Sequence, residues 1–215
     1  TGVIDDAELA EIRQELSMDE YAQEWLCQFL HRAGAIYTEF KPEIHVIEAK
    51  DVPGATELVF CDYGLRNPTA VGRFLIDYDD NMYLTDEYYE SGKEVQYIAE
   101  YIKRNMWQGK DDPHGAADPS IARQDRFKNG IPYSIMQEFH DCGIRFASAP
   151  NSVIAGINLV KQMLTNRKLY IFKRCEKSIW ELENYRWKER TSLDMNLPEE
   201  PLKVNDHACD MIRYA

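Results

Sequence analysis

A mixed α/β sheet with helices on its faces is the fold class this sequence predicts. Two observations carry that expectation. Three strand-like segments follow one another on short connections between residues 57 and 89, and helical and strand-like segments then alternate toward the C-terminus. An antiparallel three-strand meander continued by parallel strands is the sheet such an order builds.

Residues 1–45 read as helical. Ala7, Leu9, Ile12 and Leu16 mark one short helix. Ser17-Met18-Asp19-Glu20 is a capping box that opens a second, with Tyr21, Trp25, Leu26 and Phe29 on its apolar face. This stretch is expected to be a helical linker at the end of a preceding domain, or else a partner-binding arm that presents Trp25, with the main domain at 46–215. The first strand is the apolar run Leu58 to Cys61, which leads into Asp62 and then Gly64. A carboxylate ending a core strand either turns back on its own backbone or meets something cationic. Ala70–Ile76 and Met82–Tyr89 follow as strands. Asp77-Tyr78-Asp79-Asp80-Asn81 between them is read as a solvated hairpin tip, since it has the acids of a calcium loop without its glycine or closing glutamate.

From Glu94 to Trp107, apolar residues at Val95, Ile98, Ala99, Ile102 and Met106 have helical spacing. In the stretch from Asp111 to Ser120, Pro119 drives Asp118 toward an extended conformation. Asp118 should therefore stand where a short strand or loop ends and a helix begins. Ile131–Cys142 is read as a helix closed by Gly143, Ile144–Ala147 as a strand and Ser152–Leu164 as a helix. Lys168–Cys175 and Ser178–Arg186 form an inserted β-rich segment before the last helix.

That last helix covers Asp206-His207-Ala208-Cys209-Asp210-Met211-Ile212-Arg213-Tyr214-Ala215. Asp206 follows Pro198 and Pro201 and is read as its N-cap. Asp206, His207 and Asp210 lie within one turn of each other, so two carboxylates and an imidazole can point at one spot. A self-capped surface helix and a metal-holding helix both satisfy this pattern.

Composition narrows the classes. The 215 residues are 44% hydrophobic, enough for one core, and contain no apolar run long enough to span a membrane. The chain begins at Thr1 without a signal-like segment, so it is expected to be a fragment or a processed product. No GxxxxGK[ST] phosphate loop occurs. The five cysteines lack CxxC spacing and are read as buried thiols. A net charge of −12 argues against nonspecific DNA binding, but residues 161–190 carry nine Lys/Arg against four Glu, a local +5. Arg186 and Lys188 there either guide a DNA backbone or belong to an ordinary solvated hairpin in which Trp180 and Trp187 serve packing.

The acidic positions, in this order of elements, resemble the ribonuclease H-like nuclease fold. More specifically, the chain is similar to the C-terminal nuclease domain of the large terminase subunit of tailed bacteriophages. The matching pieces are Cys61-Asp62-Tyr63-Gly64 with Asn67-Pro68-Thr69-Ala70, then Ala117-Asp118-Pro119, and finally Asn205-Asp206-His207 through Ala215. Cys175–Trp187, with Glu181, Glu183, Tyr185 and Trp187, and Glu20–Phe29 add to the likeness, which spans nearly the whole chain.

The resemblance implies that Asp62, Asp118 and Asp210 are catalytic metal ligands, that His207 matches a histidine some members use beside the last aspartate, and that Glu181 stands behind them. Two Mg²⁺ or Mn²⁺ ions, roughly 3.5–4 Å apart, would cleave double-stranded viral DNA during genome packaging in the cytoplasm of the infected bacterial host. His207 either ligates one ion, orients a water, or is a first-turn residue hydrogen-bonded to a neighbour. The implied partners are double-stranded DNA, an ATPase domain of the same full-length chain, a small terminase subunit and a portal protein, with no membrane. One departure stands out. Several family members have a lysine just before the helix after the fifth core strand, where this chain reads Ala149-Pro150-Asn151-Ser152, with Lys161 the nearest. Three alternatives were open on the residues alone: another ribonuclease H-like nuclease (a resolvase or transposase core), a noncatalytic docking domain, and a sugar-kinase or actin-like ATP-binding module. The last would need a second glycine-rich loop that is absent.

Overall fold

Strand β2 (Thr56–Asp62) sits where the sheet changes character. It runs antiparallel to β3 (Thr69–Ile76) on one side and parallel to β5 (His114–Ala117) on the other. The structure, a computed structural model, describes residues 34–188 and 200–215, of which Ile36–Ala215 form a compact unit. The helices expected within residues 1–33 lie outside the described residues.

Among the described residues the main sheet has seven strands in the order β1-β9-β4-β3-β2-β5-β8. β1 is Val46–Ile47, β4 Met82–Glu90, β8 Arg145–Ser148 and β9 Leu169–Phe172, and a separate hairpin pairs β6 (Arg126–Lys128) with β7 (Ile131–Tyr133). The meander β2-β3-β4 is antiparallel, whereas β2-β5-β8 and β4-β9-β1 pair in parallel. This is the mixed sheet that the element order implies.

Two apolar layers cover the sheet. Helices α4 (Val153–Thr165), α5 (Glu176–Asn184) and α6 (His207–Tyr214) share a core with Phe60, Phe74, Leu84 and Ile171. On the other face α2 (Val95–Tyr101), a π-helical turn at Ile102–Met106 and α3 (Ile135–Asp141) pack on Val59, Cys61, Val71 and Tyr88. A short α1 (Pro42–His45) ties the start of the unit to α4, where buried His45 Nε2 lies 3.0 Å from the Leu164 carbonyl. Each fully buried Phe, Ile or Leu contributes roughly 1.5–3 kcal/mol. Side chains alternate between the two faces along β2, which is buried on both, so Val59 and Cys61 face one layer while Phe60 and Asp62 face the other, where α6 lies. Gly115 holds β2 and β5 close, because a Cβ there would stand 1.8 Å from the Val59 carbonyl oxygen.

Two segments differ from their sequence readings. Ser178–Asn184 is not β-rich but lies in helix α5, whose buried residues Ser178, Glu181 and Leu182 fall at helical spacing, with buried Tyr185 just past its end. The aromatic content of that stretch suggests strands, whereas its periodicity is helical. The helix expected from Ile131 begins at Ile135, after β7, and opens on a capping box between Ser134 and Gln137. The acidic hairpin tip is the solvated turn that the sequence predicts, with Tyr78, Asp79 and Asp80 exposed, and Asp77 closes it. The Asp77 carboxylate accepts hydrogen bonds from the backbone N–H groups of Asp79 and Asn81, the Asn81 amide and the Tyr83 hydroxyl, at 2.9–3.0 Å. Its lone pairs are used up in closing the turn.

Burial works against ionisation of Asp77, but these donors win and hold its carboxyl down to about 2. A depressed folded-state pKa contributes stability that is present above the ordinary value of 3.8 and lost as pH falls through about 2. Wild type should therefore exceed Asp77→Ala in urea-unfolding stability by a constant margin above pH 4, and the margin should shrink between pH 4 and 2. A margin independent of pH would show that the ionised form is not what closes the turn.

Candidate functional site

Strand pairing places the first two aspartates side by side. Cys61 and Ala117 are partners in the parallel β2–β5 register, so Asp62 and Asp118 leave the sheet at the same end, and the Asp118 N–H donates to the Cys61 carbonyl at 3.1 Å. Pro119 then starts a 3-10 turn (Pro119–Ala122) for which Asp118 is the cap, its Oδ1 accepting from the Ser120 N–H at 2.6 Å. The expectation for Asp118, a strand end opening into a helix, describes this geometry.

Helix α6 crosses β2 and β3 and supplies the rest. His207, Asp210 and Tyr214 stand at i, i+3 and i+7, one stripe of the helix. Along that stripe His207 Nδ1 lies 2.8 Å from Asp62 Oδ2, and the Tyr214 hydroxyl donates to Asp118 Oδ2 at 2.5 Å. Asp210 lies between them in sequence and is held by two cations. Arg213 donates from Nε and Nη2 to Oδ1 at 3.2 and 3.1 Å, and Lys203 Nζ donates to Oδ2 at 2.9 Å. The structure thus brings Asp62, Asp118, Asp210 and His207 to one end of the sheet.

Asp206 is the residue preceding α6, as expected, but its side chain caps nothing. The cap is Glu181 of α5, whose Oε2 accepts from the Ala208 and Cys209 N–H groups at 2.7 and 3.1 Å, while Oε1 accepts from the Tyr89 hydroxyl at 2.5 Å. A buried carboxylate facing a helix N-terminus satisfies two orphan donors and the positive end of the helix dipole together. This frees the Asp206 carboxylate, 7% exposed, to pair with Lys203 at 2.9 Å, off the line of a good hydrogen bond.

The charges report a crowded site. Burial pushes the Asp62 carboxyl up, the His207 hydrogen bond opposes that, and the neighbouring Asp210 and Asp118 reinforce it. Burial also works against Asp118, but hydrogen bonds from Ser120 and Tyr214 and the Arg213 charge hold it below the usual carboxylate range. His207 is raised by its hydrogen bond to Asp62, against burial. The three carboxylates form a donor set that suits a hard divalent cation, and the imidazole beside them favours the later divalent metals. Among the described residues no three His, Cys, Asp or Glu side chains are gathered closely enough to hold an ion as they stand. His207, Lys203, Arg213 and Tyr214 hold these carboxylates instead.

Arg213, Lys203 and Tyr214 are the members of the site that sequence reading missed. The signal for Arg213 and Lys203 was the i,i+3 spacing to Asp210 and Asp206, and for Tyr214 it was the helical stripe. Gly156 of α4 is the hidden fourth, since a Cβ there would stand 2.2 Å from Arg213 Cγ. Lys161, the lysine nearest in sequence to residues 149–152, has its ammonium 4.0 Å from Glu39. A concavity of about 840 Å³ lies elsewhere, around Glu57, Arg73 and Arg174 beyond the start of β2.

Comparison with known proteins gives the family. A family model described as the terminase RNaseH-like domain matches residues 59–196, well over half of the chain. The chain belongs to the terminase RNaseH-like domain family. The match holds Asp62 and Asp118 and ends before α6. A large terminase subunit from Escherichia phage T5 is 27% identical over 216 residues, covering 96% of this chain and 47% of the relative. The large terminase of thermophilic bacteriophage D6E, solved also with ADP, superposes with a TM-score of 0.70 at 25% identity, covering 98% of this chain and 51% of that one. The nuclease domain of the bacteriophage SPP1 large terminase, solved with bound Mn, has a TM-score of 0.56 at 18% identity over 83% of this chain and 96% of its own. The chain therefore spans about half the length of the T5 and D6E relatives and nearly all of an isolated domain.

Glu181→Ala tests the seat of α6. It leaves two buried N–H groups and the Tyr89 hydroxyl without their acceptor, so it should cost about 2–4 kcal/mol in urea unfolding. A loss below about 0.5 kcal/mol would mean that α6 is held by its apolar face alone.

Proposed function

We propose that this domain is a metal-dependent endonuclease that cleaves double-stranded viral DNA during genome packaging. The observation that carries the reading is the convergence of Asp62, Asp118, Asp210 and His207 at the shared end of β2 and β5, in a member of the terminase RNaseH-like domain family. The Mn-bound SPP1 nuclease domain supports divalent metal use. Asp62, Asp118 and Asp210 would hold two Mg²⁺ or Mn²⁺ ions, with His207 beside them. When bound, such ions supply a nucleophilic water for in-line attack and stabilise the departing 3′ oxygen.

The chain's own groups prepare the site. Tyr214 and the Ser120 N–H fix both oxygens of Asp118, which leaves its orientation set before any ligand arrives. Arg213 fixes one oxygen of Asp210. His207 and Asp62 hold each other through a single contact, so either can turn to a new partner.

Substrate capture by the domain alone should be weak. Much of the +5 stretch is spent internally: Lys168 donates to the Asp79 carbonyl, Lys173 pairs with Glu48, Arg174 with Asp86 and Lys188 with Glu200. Trp187 packs against the core, and Trp180 is 47% exposed. Delivery of DNA by an ATPase domain of the full-length chain, with a small terminase subunit and a portal, fits a chain half the length of its T5 and D6E relatives. Among the described residues no helix is long and apolar enough to cross a membrane.

Supercoiled plasmid nicked in the presence of Mn²⁺ or Mg²⁺ should show cleavage at many positions. Asp62→Asn, Asp118→Ala and Asp210→Asn should each lower the rate more than about a hundredfold, because even residues behind metal ligands cost roughly 10–100-fold. Asp62→Asn should keep a cooperative thermal transition. Near-normal cleavage by any of the three removes that residue from the site, and metal-independent folding with no nicking under any condition favours a docking module.

His207→Ala should weaken Mn²⁺-supported cleavage more than Mg²⁺-supported cleavage, since imidazole favours the later divalent metals. Titrating each metal separately checks this. Equal losses with both metals would assign His207 to orienting water or moving a proton instead.

A further inference from the structure

We propose that Lys203 is a tethered counter-ion that closes the Asp206–Asp210 pair and has to leave before Asp210 can take a metal ion, so that it sets the metal concentration at which the site loads. This rests on the reading of Asp210 as a metal ligand. The geometry divides the two cations at Asp210 by permanence. Arg213 has a side chain only 3% exposed, it takes Oδ1 with two N–H groups, and it lies in the space left by Gly156. Lys203 is 51% exposed and sits on the segment before α6, next to the left-handed turn at Asn205 (φ 52°). Its single ammonium lies 2.9 Å from both Asp206 Oδ2 and Asp210 Oδ2.

An ammonium on a flexible stem is a point charge that can swing into solvent, unlike a guanidinium fixed by two hydrogen bonds. Its departure would leave one oxygen each of Asp206 and Asp210 facing the same space. Asp206 is the second witness: its carboxylate is 7% exposed, it caps no helix, and its Oδ2 has the Lys203 charge nearby but no well-aligned hydrogen bond. A buried carboxylate oxygen left in that state is a group waiting for a better cation. Lys203 prevents the two acids from repelling each other while the site is empty of metal, and the same contact opposes loading.

The test reads metal binding rather than cleavage. Mn²⁺ binding to the 215-residue chain is measured by titration calorimetry for wild type, Lys203→Met and Asp210→Asn, with circular dichroism to confirm folding. Lys203→Met should bind Mn²⁺ roughly tenfold more tightly, the effect of removing a partly exposed competing pair, and Asp210→Asn should bind more weakly. Unchanged or weaker binding by Lys203→Met, with Asp210→Asn still losing affinity, overturns the role of Lys203 and leaves the metal site standing. Binding that ignores both substitutions, or no binding by wild type, overturns the metal reading and this inference together. A second measurement needs no variant. Saturating Ca²⁺ should raise the acetylation rate of Lys203, followed by mass spectrometry in the wild-type chain, because its amine is released. An unchanged rate overturns the proposal even if Lys203→Met fails to fold.

Discussion

The seat of helix α6 on the sheet decides where every polar group of the site ends up, and that seat is fixed from the far side by a buried carboxylate. An eight-residue helix has too few internal hydrogen bonds to hold itself, so packing and capping have to do it. Met211 and Ile212 supply the apolar contact, and Glu181 supplies the cap from α5. Because Glu181 is itself pinned by Tyr89 of β4, the helix N-terminus is referenced to the sheet through two hydrogen bonds. Burial raises the Glu181 carboxyl, and three donors oppose that. A small rotation of α6 would break the Tyr214–Asp118 and His207–Asp62 contacts together, since they lie two turns apart on one stripe.

Carboxylates gathered at the end of a sheet repel one another unless cations attend them. Here the attendants come from the same short segment as the last acids: Lys203, His207 and Arg213. Asp118 is treated differently: its direct partners are a neutral hydroxyl and a backbone N–H, and the Arg213 charge helps from a distance to keep it ionised. The site is therefore graded. One carboxylate is locked by neutral donors, one is half locked by a buried guanidinium, and one is held by a single imidazole. A set of this kind can accept a ligand stepwise, because the contacts that must break are the exposed or single ones.

Much of this was legible in the sequence. Asp62 could be placed because an apolar run ends at it, and Asp118 because a proline follows it, and both signals are local. The mixed sheet followed from the order of elements. The parallel register that sets Cys61 beside Ala117 is a long-range fact that spacing alone does not carry. The same limit applies to Asp206: it stands at the N-cap position as its residue type suggests, but nothing near it in sequence reveals that the side chain accepting from the helix N–H groups is that of Glu181, 25 residues earlier. Residues 178–186 misled because aromatic content was weighed above period. Gly156 could not have been found at all, since its role is the volume it leaves for an arginine 57 residues away.

The charge distribution links the site to how such a domain would be used. With −12 overall and Lys173, Arg174 and Lys188 of the basic stretch committed to internal pairs, the domain offers a polyanion little net attraction. On the function proposed above, each divalent ion taken up would add two positive charges at the one place where a phosphate has to approach, so loading and substrate affinity would rise together. Such a domain would stay off DNA while metal-free and would depend on a linked part of the protein to present the strand once loaded. Weak intrinsic binding would then have a physical use, because cleavage would be confined to DNA that something else had already delivered.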